Sequence, residues 1–82
     1  MKTNKEQILE IYKNLVESKI PGKGEAASNI VSKYWDDKAD SLASYRLKEI
    51  DLSINTNLVM QVLKDIATRF PSMNEEIKNL RK

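Results

Sequence analysis

The side chains that most often carry chemistry are missing from this chain. Its 82 residues include no histidine and no cysteine, the residue types that supply most general bases, nucleophiles and zinc ligands. The densest carboxylate group is Asp36, Asp37 and Asp40. Asp36 and Asp40 share a helical face, which could hold a divalent cation, but the spacing lacks the pattern of a calcium-binding loop. We therefore favour a solvated acidic helix start, and we expect no catalytic site, no metal site, no cofactor and no enzyme activity.

A short glycine-rich stretch is the second feature that could carry chemistry. Gly22, Lys23 and Gly24 precede a predicted helix, and the free N–H groups at a helix start attract anions. A phosphate-binding P-loop places Ser or Thr after its lysine, whereas Gly24 takes that place here. The sequence therefore favours an ordinary turn after Pro21 over a phosphate site.

The overall composition is that of a small, highly charged protein. Fourteen basic and 12 acidic residues give a net charge of +2, which favours solubility without the large positive excess of a histone-like protein. No apolar run approaches the ~20 residues of a membrane span, and the first residues lack the apolar stretch of a signal peptide. We expect a cytoplasmic protein with a single helical domain over residues 1–82. A second copy could enlarge so small a core, so a monomer and a homodimer both stay open.

Apolar residues recur at spacings of three and four along the whole chain. This period predicts an all-α fold, a compact bundle of four to five short helices. The first helix should begin at Thr3 or Asn4, and the second near Glu25. Within residues 25–50 the apolar stripe rotates to a new face, so two helices with Asp37 as the cap are favoured over one long helix.

The second half of the chain carries the clearest helical pattern, over residues 56–70. Asp65 and Arg69 stand four apart there, in the order that favours an ion pair along one helix. Ser72 and Glu75 then have the spacing of a capping box, which predicts the start of a short last helix. The predicted core takes residues from all these segments: Ile8, Ile11, Leu15, Ile30, Val31, Leu47, Val59, Val62, Leu63, Ile66 and Phe70.

The absence of catalytic side chains favours a non-catalytic interaction module, a small regulator, inhibitor or adaptor that binds another protein through a helix face. The candidate contact residues are Trp35 and Tyr45, because exposed aromatic residues concentrate at binding hot spots, together with Met60, an apolar residue on the outward side of the helix predicted over residues 56–70. Tyr34 and Trp35 point about 100° apart on a helix. The alternative is that both of them simply flank the core.

The stretch from Leu52 to Ile66, L-S-I-N-T-N-L-V-M-Q-V-L-K-D-I, resembles the recognition half of a helix-turn-helix. It is most similar to winged-helix regulators of the gluconate-repressor type. The resemblance implies a DNA-binding regulator that uses residues 39–70, with a supporting helix over residues 39–51 and a recognition helix over residues 56–70. It also implies that three polar residues contact base edges and phosphates: Asn57, Gln61 and Lys64.

The helical plan as a whole resembles a second family. With its opening of Gln7-Ile-Leu-Glu-Ile-Tyr12, the chain is similar to the small antiparallel bundles that protect lactic-acid bacteria against their own pediocin-like bacteriocins. The resemblance implies a bacterial immunity function and supplies no site residues. A protein partner is thus the first expectation and DNA the alternative.

Overall fold

The apolar stripes form five α-helices and no strand within residues 3–47 and 56–81, the part of the chain that this computed structural model describes. In chain order the helices are α1 (Asn4–Lys19), α2 (Gly24–Tyr34), α3 (Asp37–Leu47), α4 (Thr56–Arg69) and α5 (Pro71–Asn79). The prediction of an all-α bundle of four to five short helices is confirmed. Among the described residues, no helix is both long enough and apolar enough to cross a membrane.

Side chains cap the starts of α1 and α3. The Thr3 hydroxyl accepts a hydrogen bond from the Glu6 N–H at 3.2 Å, and α1 therefore begins where the sequence predicted. The rotation of the stripe is also resolved as two helices, α2 and α3. The predicted cap of α3 is wrong by one residue, because the carboxylate of Asp36 accepts from the Ala39 N–H at 2.8 Å. A cap must precede the helical backbone, and Asp37 is already the first residue of α3.

The start of α5 differs from the prediction. The expected capping box at Ser72 is wrong, because α5 begins at Pro71 and has no side-chain cap. Proline suits the first helical position, since its ring fixes φ and its missing N–H would have no helical partner there. A single residue, Phe70, therefore joins α4 to α5.

The core draws on all five helices. Its buried members are Ile8, Tyr12, Ala27, Val31, Ala39, Ala43, Val59, Val62, Leu63, Ile66, Ala67 and Met73. Six of the predicted core residues are among them: Ile8, Val31, Val59, Val62, Leu63 and Ile66. Ile11, Ile30 and Phe70 are half-buried against this cluster. Leu15 is half-buried, and the side chain of Leu47 lies outside the described residues.

Ion pairs between helices replace the predicted pair within α4. The carboxylate of Asp65 lies 2.7 Å from Nε of Arg46 on α3. Arg69 donates from both terminal nitrogens to the Asp36 carboxylate, each at 3.2 Å. The predicted Asp65–Arg69 pair is thus wrong, since both residues bind partners at α3 or its cap. These contacts fix α4 against α3 and leave the opposite side of α4 uncovered by them.

Candidate binding cleft

An open apolar groove of about 500 Å³ lies between α4 and α5. Tyr12 of α1 and Val31 of α2 are also part of its lining. Apolar side chains from the two flanking helices form most of the walls: Met60, Leu63 and Ala67 from α4, and Met73 and Ile77 from α5. The groove is therefore bounded by four of the five helices.

Two smaller cavities adjoin this groove. One, of about 230 Å³, lies between α1 and the start of α4 and also touches Tyr12, Met60 and Arg81. The other, of about 60 Å³, lies between α1, α2 and the end of the chain, and it again touches Tyr12 and Arg81. Tyr12 and Arg81 therefore stand where all three cavities meet, and we call the three together the cleft.

The helix connections explain why this side of the bundle stays open. Because Phe70 alone joins α4 to α5, the two helices diverge directly from a tight corner. The nine residues of α5 pack against both α2 and α4, so they cannot also cover the outer side of the longer α4. Met60 consequently remains 48% exposed beside the apolar groove.

The charge of the cleft is of one sign. Its lining contains four cationic side chains, Lys19, Lys23, Lys64 and Arg81, and no carboxylate among the described residues. None of these four cations belongs to an ion pair within the described part of the chain. An apolar floor with a positive rim therefore faces solvent.

Tyr12 is a titratable group that lines all three cavities of the cleft. Burial raises the pKa of its phenol, and the positive charge of Arg81 acts in the opposite direction to a smaller extent. The phenol accordingly stays neutral at physiological pH. It can offer a hydrogen bond but no charge.

Of the three predicted protein-binding residues, only Met60 lines the cleft. Tyr45, on α3, is 83% exposed and lines none of its three cavities. Trp35 is half-buried against the core, and its Nε1 donates to the Asp40 carboxylate at 3.3 Å. The cavities therefore do not unite the three residues in a single aromatic surface.

The three residues assigned to DNA by resemblance are all on the exposed side of α4. Asn57 and Lys64 line the cleft, whereas the Gln61 amide donates to the Asp65 carboxylate at 3.2 Å. The stretch over residues 52–55, which includes the turn of the resembled motif, lies outside the described residues. DNA contact by Asn57, Gln61 and Lys64 stays a prediction.

Two of the three aspartates of the acidic group make contacts within the fold. Asp36 caps α3 and binds Arg69, and Asp40 accepts from Trp35. The part of the chain that the structure describes holds no group of three or more His, Cys, Asp or Glu residues placed to bind a metal ion.

The glycine-rich stretch does hold an anion, and the anion comes from the chain itself. Glu17 accepts hydrogen bonds from the N–H groups of Gly22 at 2.6 Å and Gly24 at 3.0 Å. These two backbone hydrogen bonds are the main reason why the pKa of Glu17 lies below its ordinary value. The site at the start of α2 is therefore filled by a carboxylate.

Sequence reasoning missed the two residues at the centre of the cleft. Tyr12 belongs to the apolar stripe of α1, and Arg81 lies just beyond the end of α5. Their residue types gave no signal that they would meet across the fold. Comparisons with known protein families, with curated proteins and with solved structures find no match, so the function has to be inferred from the cleft itself.

Proposed function

We propose that this chain is a non-catalytic interaction module, a small regulator, inhibitor or adaptor, which binds a segment of another protein in the cleft. The observation that carries the proposal is the open apolar groove of about 500 Å³, beside which Met60 is 48% exposed. Concave, mostly apolar clefts with a few polar groups are the usual sites at which proteins bind ligands and partner segments.

The side chains of the groove suit the binding of a peptide. Met60 and Met73 stand on opposite walls, and the unbranched, polarisable methionine side chain adapts to partners of different shape. Thr68 and Asn74 add a few polar groups to the mostly apolar lining. Such a mixture can exclude water around an apolar anchor while hydrogen bonds set its orientation.

The residue types around the groove also support the non-catalytic part of the proposal. Among the described lining residues, the titratable side chains are Tyr12, Lys19, Lys23, Lys64 and Arg81. A general base for neutral pH needs a pKa near the working pH, and burial moves the pKa of Tyr12 further upwards. The cleft is consequently better suited to recognition than to proton transfer.

Selection of peptides from a random library on the folded protein tests this proposal. We expect the selected peptides to lose most of their affinity for Met60→Glu, because that change places a charge beside the apolar groove. Met60 is half-exposed, so the variant should fold, and thermal unfolding checks that it does.

Tyr45→Glu is the matched comparison, since it introduces the same charge at the other large apolar residue that is exposed among the described residues. We expect the selected peptides to bind it as they bind the unchanged protein. Loss of binding with Tyr45→Glu and not with Met60→Glu would move the site to α3. Failure to select any peptide that depends on Met60 would refute the proposal.

A further inference from the structure

We infer that the segment bound in the cleft is an acidic amphipathic helix of the partner protein. Its apolar face would enter the groove between α4 and α5, and its carboxylates would pair with the cations of the rim. This inference rests on the proposed function and adds the charge and the secondary structure of the bound segment.

The cations of the cleft, which form no ion pair with another described residue, indicate the charge of the segment. Lys64 stands on the α4 wall, Lys19 on the α1 side, and Arg81 where the three cavities meet. No carboxylate of the described residues lines the cleft beside them. Complementary potentials guide a partner to a surface and suppress partners of like charge, so a negatively charged segment fits this rim.

Three cations elsewhere on the bundle pair with carboxylates. Lys33 lies 2.7 Å from Glu76, Arg46 lies 2.7 Å from Asp65, and Arg69 lies 3.2 Å from Asp36. In each case the carboxylate belongs to a different helix or to a helix cap, so these cations are used to hold the fold together. The net charge of the whole chain is only +2, and the positive character of the cleft is therefore a property of that face.

The helical backbone of the described residues indicates which secondary structure the bound segment adopts. An extended peptide normally binds by adding a strand to a sheet edge, and the described residues contain no strand. A helical segment satisfies its own backbone hydrogen bonds without a sheet edge, and it therefore suits this cleft. An amphipathic helix in a groove is a common mode of recognition, with apolar anchors at positions i, i+3, i+4 and i+7.

The apolar walls favour a protein segment over a nucleic acid. Phosphate groups would pair with Lys64 and Arg81, but a sugar–phosphate backbone has no apolar face to cover the exposed Met60 or to fill the apolar groove beside it. Burial of apolar surface is the main favourable contribution to most protein–protein association. An acidic amphipathic helix satisfies both the charges and the walls.

Two synthetic peptides of about 18 residues, long enough for five helical turns, test the inference. Both carry the same leucine face, and the remaining positions hold Glu in one peptide and Lys in the other. With fluorescence anisotropy we expect the Glu peptide to bind at least about tenfold more tightly at low salt. The preference should shrink as salt rises, because the rim is exposed.

Charge reversal assigns the preference to the cleft. Lys64→Glu and Arg81→Glu should each weaken binding of the Glu peptide by roughly tenfold, and the double variant should prefer the Lys peptide. Lys38→Glu is the matched control, because Lys38 is exposed on α3 and lines no part of the cleft. That control should keep the affinity of the unchanged protein within about twofold.

Each contrary result has a separate meaning. Equal, Met60-dependent binding of both peptides would overturn the acidic assignment and leave the proposed function intact. No binding of either peptide would overturn the inference, whereas the proposed function depends on the library selection. Tighter Lys64-dependent binding of duplex DNA, or of phosphatidylglycerol vesicles, than of the Glu peptide would also overturn it.

Discussion

The junction between α1 and α2 and the cleft beside α4 and α5 use charge in opposite ways. At the junction, the Glu17 carboxylate accepts from the N–H groups of Gly22 and Gly24. In the cleft, cations such as Lys64 and Arg81 have no carboxylate of the described residues beside them. In the first region a carboxylate of the same chain binds the free N–H groups, whereas under the proposed function the charges of the second region pair with a partner.

This difference separates residues that hold the fold from residues that are available for binding. Gly24 is buried against α1, and a change there should reduce stability. Met60 and Lys64 are exposed at the cleft, and changes there should reduce binding with little effect on folding. A Gly24 variant that keeps its stability, or a Met60 or Lys64 variant that loses it, would contradict this division.

The largest expected effect is the difference in the free energy of unfolding between substitutions on the two sides of α4. Ile66→Ala should lower the free energy of unfolding by ~2–5 kcal/mol, because it leaves a cavity at a fully buried position. Met60→Ala, on the exposed side of the same helix, should change it by less than about 0.5 kcal/mol. Chemical denaturation of both variants measures the difference. Equal losses would contradict the assignment of Met60 to an open cleft.

The next effect concerns the two glycines of the junction. A Cβ at Gly24 would lie 2.4 Å from the Lys13 carbonyl oxygen and 2.9 Å from Glu17 Cβ. Because the carbonyl belongs to the backbone of α1, it cannot move away without distorting the helix. Gly24→Ala should therefore cost at least the ~1–3 kcal/mol of an overpacked core.

Gly22→Ala supplies the control for that substitution. Gly22 has a φ of +87° with nothing within 4 Å of an added Cβ, so alanine there meets only the left-handed backbone cost of ~1–2 kcal/mol. Thermal unfolding should rank Gly24→Ala below Gly22→Ala in stability. The reverse order would show that the close packing of α2 on α1 contributes less to stability than the left-handed backbone of Gly22 does.

The sequence predicts helices well because each helix carries its own apolar period. It predicts the start of α1 from Thr3, but it places the cap of α3 at Asp37 and misses the start of α5 at Pro71. Both errors concern competing local signals: two adjacent aspartates in one case, and a proline next to a serine in the other. Only the backbone path decides between such neighbours.

The cleft could not be predicted in the same way. Helical period assigns a face to Tyr12, Leu63 and Met73, but it does not give the distance between two helices. Nor does it predict that Asp65 and Arg69 pair with residues on or beside α3 rather than with each other. Met60 is the exception, because an apolar residue on the outward side of α4 was visible as a candidate from the pattern alone.

The smallest expected effect is the contribution of Glu17 to the pH dependence of stability. Hydrogen bonds from Gly22 and Gly24 hold the pKa of Glu17 below its ordinary value of 4.5. The ionised form is thus favoured in the folded state, so the stability it contributes is complete above pH 4.5 and is lost as pH falls through the folded-state pKa. Glu17→Gln should slightly lower stability at neutral pH and reduce the loss below pH 4.5.

Denaturation curves for Glu17→Gln at neutral and acidic pH measure this change, and Glu75→Gln, at an exposed position on α5, is the control for loss of one negative charge. Some acid sensitivity should remain, since Arg69 lowers the pKa of Asp36 and Lys33 lowers that of Glu76. Affinity for the Glu peptide should be unchanged in Glu17→Gln, because Glu17 lines no part of the cleft. A weaker affinity would show that the junction and the cleft are coupled through α1, which supplies residues to both, and the division between folding and binding residues would then fail.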